Sequence, residues 1–208
     1  MKNNDLKPSF AFLISSKMRR KDFLYESFFK GKAALDVGCG EGEFLKNDPK
    51  RIVGMDANGG LVSRLSGKGF NVRAGTAAKM PFQDRSFQAV HCRNVIEHMN
   101  VDEAYAMIKE CSRVLAPGGL LVLCSEMPTR KFWGTFGHVK PYPPSSIIKL
   151  LRPESREEFD PIADLEYMTV FHIGDYFRNR ALYLISACIG YYLPRWFARE
   201  YFLVLRKK

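Results

Sequence analysis

Short apolar runs alternate along the chain with segments in which apolar residues recur at helical spacing. Five of the runs predict β-strands, at residues 33–37, 51–55, 71–74, 87–92 and 120–125. In most of these runs apolar residues follow one another rather than standing at every second position, which is typical of a parallel sheet that helices cover on both faces. The intervening segments 42–46, 60–67 and 102–115 predict those helices. The repeated order of strand and helix indicates an α/β fold.

The pattern changes after residue 125. A loop with several prolines, residues 126–144, leads to a short predicted helix near Ser145. Residues 165–172 and 201–207 predict two further strands, and an apolar segment with helical spacing, residues 181–193, lies between them. That segment ends at Pro194, short of the ~20 residues that a membrane-spanning helix needs. We therefore predict one α/β domain without a transmembrane helix.

The charge and the cysteines describe the chemical setting of the chain. Lys and Arg number 32 against 22 Asp and Glu, a formal net charge of +10 over 208 residues. This charge suits an anionic partner, such as nucleic acid, an acidic metabolite or a membrane surface, without choosing among them. The five cysteines include no Cys-x-x-Cys pair, and no secretory signal is present. We expect reduced, buried thiols in a cytoplasmic protein.

The segment DVGCGEG, which follows the first predicted strand, is a candidate ligand-binding loop. Its glycines, Gly38, Gly40 and Gly42, are each separated by one residue, unlike the G-x-G-x-x-G of dinucleotide-binding folds. It also lacks the Lys-Ser/Thr pair that completes a phosphate-binding loop. Asp56 ends the second strand, where a carboxylate can accept hydrogen bonds from the two hydroxyls of a ribose. The ligand is therefore predicted to carry a ribose.

Five segments occur together in the order and spacing of one family. LDVGCGEGEF, VGMD, GTAAKMPFQDRSFQAV, RNVIEHM and RVLAPGGLLVL closely resemble the class I S-adenosylmethionine-dependent methyltransferases, in particular the branch of ubiquinone/menaquinone-type and other small-molecule enzymes. The resemblance implies a Rossmann-like seven-stranded sheet, mostly parallel, with helices on both faces and an antiparallel last strand. It also implies S-adenosylmethionine as the cofactor and S-adenosylhomocysteine as the product.

The resemblance implies a cofactor site at the carboxyl ends of the first strands. The glycine loop lies against the methionine part of the cofactor in such enzymes, with Asp36 near its amino group and Asp56 on the ribose. Thr76 stands where the family usually has an acidic residue near the adenine, so its hydroxyl or the backbone of Ala77 is the expected substitute. The full expected set is Asp36, Gly38, Cys39, Gly40, Gly42, Asp56, Ala57, Thr76, Ala77 and Arg93.

Two histidines are candidate catalytic residues. His98, in VIEHM, can accept a proton from a hydroxyl or an amine near neutral pH. Alternatively, Glu97 caps the following helix and His98 only packs over the cofactor. His138 follows the fifth strand, in a loop that lines the acceptor pocket of related enzymes, or else lies in a solvent-facing turn. His91 and His172 lie inside predicted strands and are expected to be structural, and no metal site is expected.

The regions around the cofactor-binding core are expected to select the acceptor. Within a single domain, 1–208, we predict a lid helix at 1–30, the cofactor-binding core at 30–125 and an acceptor-site region at 126–208. Residues 129–136, TRKFWGTF, predict a basic and aromatic rim, unless they only pack and solvate a lid. The apolar helix at 181–193 suits peripheral membrane contact or, alternatively, is an ordinary core helix that joins the last two strands.

We predict methyl transfer to an oxygen or nitrogen of a small-molecule or lipid-linked acceptor. One alternative is an RNA methyltransferase, which only the basic charge favours. Residues 91–98 contain neither the Pro-Cys motif nor the Asn/Asp-Pro-Pro-aromatic motif of enzymes that methylate nucleobases. Nucleic acid is therefore the less favoured partner. The other alternative is a non-catalytic, cofactor-binding scaffold protein.

Overall fold

A computed structural model of the chain describes residues 23–152, 159–173 and 198–208. Within these residues seven strands form one sheet, and they are β1 (Ala34–Val37), β2 (Ile52–Asp56), β3 (Val72–Ala74), β4 (Phe87–Arg93), β5 (Leu115–Glu126), β6 (Leu165–Ile173) and β7 (Glu200–Lys207). Their order across the sheet is β3-β2-β1-β4-β5-β7-β6. All seven strands predicted from the sequence are therefore present.

Strand directions agree with the predicted fold. The strands β3, β2, β1, β4 and β5 pair in parallel, whereas β7 is antiparallel to both of its neighbours, β5 and β6. Every residue of β1 is buried, as its continuous apolarity requires for a central strand of a parallel sheet. The mostly parallel, seven-stranded Rossmann-like sheet with an antiparallel last strand is confirmed.

Three of the four described α-helices begin at residues whose side chains accept hydrogen bonds from free backbone N–H groups. The described α-helices are α1 (Gly59–Gly67), α2 (Val101–Val114), α3 (Arg130–Trp133) and α4 (Pro144–Lys149). The Asn58 side chain accepts hydrogen bonds from two backbone N–H groups of α1. At α2, Asn100 and Glu103 form a reciprocal capping box. These caps fix the starts of α1 and α2 close to the predicted ones.

The helix predicted at residues 42–46 is instead a single 3-10 turn, Leu45–Asn47. Gly42 has a φ of +76°, and this left-handed conformation cannot belong to a right-handed helix. At the other end, Asp48 is extended because it precedes Pro49, and a proline disfavours helical conformation in the residue before it. The glycine loop therefore reaches β2 through one short turn.

Apolar side chains cover both faces of the sheet. Successive residues of β5 point to opposite faces, so Leu121 and Val122 belong to different buried clusters. The cluster of Val122 includes Phe28 and Phe29 of the short helical turn Tyr25–Phe29, which are 2% and 1% exposed. The part of the predicted lid helix that the structure describes is therefore anchored on the core.

Several predicted features lie outside the described residues. They are residues 1–22 of the lid helix and the apolar segment 181–193 with the basic residues around it. Among the residues that the structure does describe, no helix has the length and apolarity needed to cross a membrane.

Candidate active site

Two adjoining cavities lie at the carboxyl ends of β1, β2 and β4, the edge at which open α/β sheets bind ligands. Both are lined by Gly38. The first cavity has a volume of about 220 Å³ and includes Asp36, Cys39, His91 and Arg93. The second has a volume of about 480 Å³ and includes Asp56, Ala57, Thr76, Ala77, Asn94 and His98. Of the predicted cofactor residues, all but Gly40 and Gly42 therefore line one cavity or the other.

The three glycines of the loop all have a positive φ, but the space beside them differs. Gly38 has a φ of +70°, and a Cβ there would lie 2.4 Å from Cγ2 of Val95. Gly40 has a φ of +50°, and a Cβ there would meet no atom within 4 Å. At Gly42 a Cβ would lie 2.8 Å from Cδ2 of Leu65. Of the three, Gly40 thus faces open space that a ligand can fill, whereas a Cβ at Gly38 or Gly42 would displace a neighbouring side chain.

Asp56 connects the glycine loop to the end of β2. Its Oδ2 accepts a hydrogen bond from the Gly40 N–H at 2.9 Å, and its Oδ1 accepts one from the Asn58 N–H at 2.9 Å. Each carboxylate oxygen has a further lone pair, and the side chain lines the second cavity. The backbone thus orients a carboxylate that can still accept hydrogen bonds from a diol.

Asp36 and His91 form a buried pair in the wall of the first cavity. His91 Nδ1 lies 2.7 Å from Asp36 Oδ1. The His91 side chain is only 7% exposed, and the Asp36 side chain only 4%. The pair forms because the parallel register of β1 and β4 places these two residues side by side. The His91 ring stacks on Phe44, with centroids 4.0 Å apart. His91 was expected to be structural, but it also lines the cavity and holds the Asp36 carboxylate in place.

Arg93 supplies a cation to the same cavity. Its Nη2 lies 3.2 Å from Glu200 Oε2 at the start of β7, and both side chains are about four-fifths buried. The amino-acid end of S-adenosylmethionine carries an ammonium and a carboxylate, which carboxylate and guanidinium groups can bind respectively. Asp36 and Arg93 in one cavity, with open space above Gly40 and a free diol acceptor at Asp56, fit this cofactor.

Glu97 is the most deeply buried carboxylate beside the second cavity. It lies in the 3-10 turn Ile96–His98 and is 1% exposed. Its Oε2 accepts a hydrogen bond from the Ser125 hydroxyl at 2.9 Å, whereas Oε1 has no hydrogen-bond partner in the part of the chain that the structure describes. Burial raises the pKa of Glu97. Glu97 does not cap α2, because Asn100 and Glu103 do so.

The two candidate catalytic histidines lie together although they are far apart in the sequence. The ring centroids of His98 and His138 are 5.1 Å apart. His98 Nδ1 lies 2.9 Å from the Gly137 carbonyl oxygen, and the Val139 N–H donates to the Glu97 carbonyl oxygen at 2.8 Å. The loop that follows β5 is thereby held on the turn that contains Glu97.

The predicted basic and aromatic rim is only partly a surface. Trp133 is 64% exposed, whereas Phe132 is fully buried and its ring centroid lies 4.5 Å from that of His138. His138 Nδ1 lies 3.1 Å from the Phe132 carbonyl oxygen. Phe132 therefore supports His138 rather than offering an apolar contact to an acceptor.

The strand order, the antiparallel β7 and the glycine loop at the end of β1 define the fold of the class I S-adenosylmethionine-dependent methyltransferases. Residues 35–123 match the family described as methyltransferase domain. These residues are thus similar to a methyltransferase domain.

Named relatives differ in the acceptor that their names imply. The chain is 34% identical over 130 residues to the probable tRNA methyltransferase 9B of Mus musculus, covering 60% of this chain and 29% of that protein. It is 33% identical over 115 residues to the ubiquinone biosynthesis O-methyltransferase of Chelativorans sp. (strain BNC1), covering 51% of this chain and 45% of that protein. The chain therefore spans less than half the length of either relative.

A solved structure with the same fold covers almost the whole chain. It is the crystal structure of a SAM dependent methyltransferase from Archaeoglobus fulgidus, with a TM-score of 0.67 at 20% identity, and the match covers 95% of this chain and 97% of that one. At this identity the likeness shows the fold alone.

Proposed function

We propose that the protein transfers a methyl group from S-adenosylmethionine to an oxygen or nitrogen of a small-molecule or lipid-linked acceptor. The observation that carries this proposal is that Asp56 and His98 line the same cavity. A carboxylate suited to the ribose of the cofactor and a polar group suited to an acceptor thus face one space.

The residues of the chain would bind and orient the reactants. When bound, S-adenosylmethionine supplies an electrophilic methyl group on a sulfonium. Asp36, Arg93 and Asp56 would hold its charged and hydroxyl groups, and Gly40 would leave room for it beside the loop. His98 donates Nδ1–H to a carbonyl oxygen, so its Nε2 keeps a lone pair that can take a proton from an acceptor hydroxyl or amine.

RNA is a second candidate acceptor. The net charge of +10 and the name of the Mus musculus relative favour it. Binding to RNA through basic residues depends steeply on salt concentration, whereas binding of a small neutral acceptor does not. The two acceptor classes therefore differ in a measurable property.

Incubation with methyl-labelled S-adenosylmethionine and a cell extract tests both candidates, with Gly40→Val as the blank. The label is then measured in the aqueous small-molecule, lipid, RNA and protein fractions. Label in the small-molecule or lipid fraction is the expected result. Salt-sensitive label in RNA would replace this acceptor class with RNA, and cofactor binding without label in any fraction would contradict methyl transfer.

The proton-accepting role of His98 needs its own measurement. His98→Ala should lose turnover while its affinity for the cofactor, measured by calorimetry, stays the same, because in this proposal His98 contacts the acceptor and not the cofactor. Normal turnover in this variant would rule out the role.

A further inference from the structure

Glu97, His98 and His138 bring three metal-binding groups close together. One donor atom from each residue can be chosen so that all three lie within 4.8 Å of one another. The sequence does not place these three residues at a spacing typical of metal ligands. His138 comes close to Glu97 and His98 only because of the way the loop after β5 folds.

Each of the three side chains has one heteroatom occupied and one left over. A backbone carbonyl only accepts hydrogen bonds, so His98 Nδ1 and His138 Nδ1 must both carry the ring hydrogen toward Gly137 and Phe132. In the neutral rings the lone pair is then on Nε2. Glu97 Oε2 is likewise held by Ser125, which leaves Oε1. Metal ligands in proteins are commonly oriented by this kind of outer hydrogen bond.

The second oxygen of the Glu97 carboxylate, Oε1, is available to a bound group. A buried polar atom without a partner costs free energy, so buried polar groups in native proteins are nearly always satisfied. Glu97 is 1% exposed, and Oε1 has no partner among the described residues. A cation between Glu97 and the two histidines would satisfy it.

We propose that Glu97, His98 and His138 bind a divalent transition-metal ion of the zinc or manganese type. Two imidazoles and one carboxylate suit such ions, whereas magnesium and calcium prefer oxygen ligands alone. Three protein ligands leave a coordination position open, as in catalytic zinc sites. His98 also lines the second cavity, so the open position is available to an acceptor atom there.

Metal binding changes the role of His98. A bound ion occupies the Nε2 lone pair, so the proton-accepting role of His98 belongs to the metal-free protein, and in the metal-bound protein His98 is a ligand. What the ion does for the reaction rests on the proposed function, whereas ion binding itself does not.

Binding of Co²⁺ to the full chain tests the site directly. The protein is first treated with a chelator, and Co²⁺ is followed by its visible absorption, with Zn²⁺ as the competitor. The variants are Glu97→Gln and His138→Gln, and His138 is only partly buried, so its variant keeps the test valid if the buried Glu97 change impairs folding. His172→Gln is the control, because His172 lies in β6 and lines neither cavity.

We expect a single equivalent of Co²⁺, displaced by Zn²⁺, with affinity lowered more than about tenfold in Glu97→Gln and His138→Gln but not in His172→Gln. Equal affinity in all four proteins, no binding to the unaltered chain, or a thiolate-to-cobalt charge-transfer band would overturn the site. Calorimetry with S-adenosylhomocysteine on the chelator-treated protein is measured separately, so loss of cofactor binding and loss of the metal site are distinguished.

Discussion

Replacement of Gly40 by alanine isolates the contact between the glycine loop and the cofactor. Gly40 has a φ of +50°, and a Cβ at this position would have no atom within 4 Å, so alanine meets no protein atom there. Gly118 near the start of β5 provides a matched control, with a φ of +76° and equally open space. The two substitutions therefore impose the same kind of backbone strain at opposite ends of the sheet, and only one lies in the glycine loop.

The expected costs follow from these two environments. A left-handed conformation costs an L-residue about 1–2 kcal/mol. The free energy of unfolding should therefore fall by this amount in both variants. For a chain of this length that corresponds to a fall in Tm of roughly 2–8 °C. If the added methyl group in Gly40→Ala also overlaps the bound cofactor, overpacking makes the free energy of binding less favourable by about 1–3 kcal/mol. This weakens affinity about 5- to 140-fold. Gly40→Val, with two more methyl groups, should bind no measurable cofactor.

The assay is calorimetry with S-adenosylhomocysteine, combined with thermal unfolding of the same samples. Both alanine variants should show a lower Tm, and only Gly40→Ala should show weaker binding. If Gly40→Ala and Gly40→Val bind as well as the unaltered chain, the glycine loop does not contact the cofactor. If Gly118→Ala loses as much affinity as Gly40→Ala, the loss reflects general destabilisation instead.

Three further predictions concern single groups. Asp56→Ala should weaken cofactor binding by about 1.5–3 kcal/mol, the scale of hydrogen bonds to a charged group, and unchanged calorimetric affinity would contradict the ribose assignment. Burial raises the pKa of Cys39 to about 12, so iodoacetamide at mildly alkaline pH should leave this thiol unmodified by peptide mass analysis, and rapid alkylation would refute its placement. Hydrogen bonds from Arg113 lower the pKa of Glu110 below 4.5. The stability advantage over Glu110→Gln should therefore be full above that pH and disappear as pH falls through the lowered pKa. Urea unfolding at several pH values measures it, and an advantage that persists in strong acid would refute the pair.

The hydrophobic pattern was sufficient to predict the seven strands. For a central strand such as β1 the reason is that a strand buried on both faces must be apolar throughout. It was not sufficient for the segment after β1. There, the sequence between the glycine loop and β2 suggested a helix, but the left-handed Gly42 and the residue before Pro49 leave room for only one 3-10 turn. Backbone conformation overrode the pattern at both ends of this segment.

Gln88, in the segment SFQAV, stands where the family that the sequence resembles commonly has aspartate, and the structure explains the difference. Its Oε1 accepts a hydrogen bond from the Ala33 N–H at 3.0 Å, just before β1. Gln88 thus joins the start of β1 to β4 and lies in neither cavity. This substitution therefore gives no support to a non-catalytic protein.

Site residues that belong to one short segment could be predicted from the sequence. Contacts between segments that are far apart in the sequence could not. The glycine loop and Asp56 follow from short motifs at strand ends, whereas the Asp36–His91 pair depends on the register between β1 and β4. The same limit applies to the cluster of Glu97, His98 and His138. Its loop is positioned by backbone groups, since the carbonyl oxygens of Gly137 and Glu97 make the hydrogen bonds that hold it. Every residue has a carbonyl group, so the identities of the side chains do not reveal which carbonyls are used. Such a cluster becomes visible only when the fold has placed the backbone.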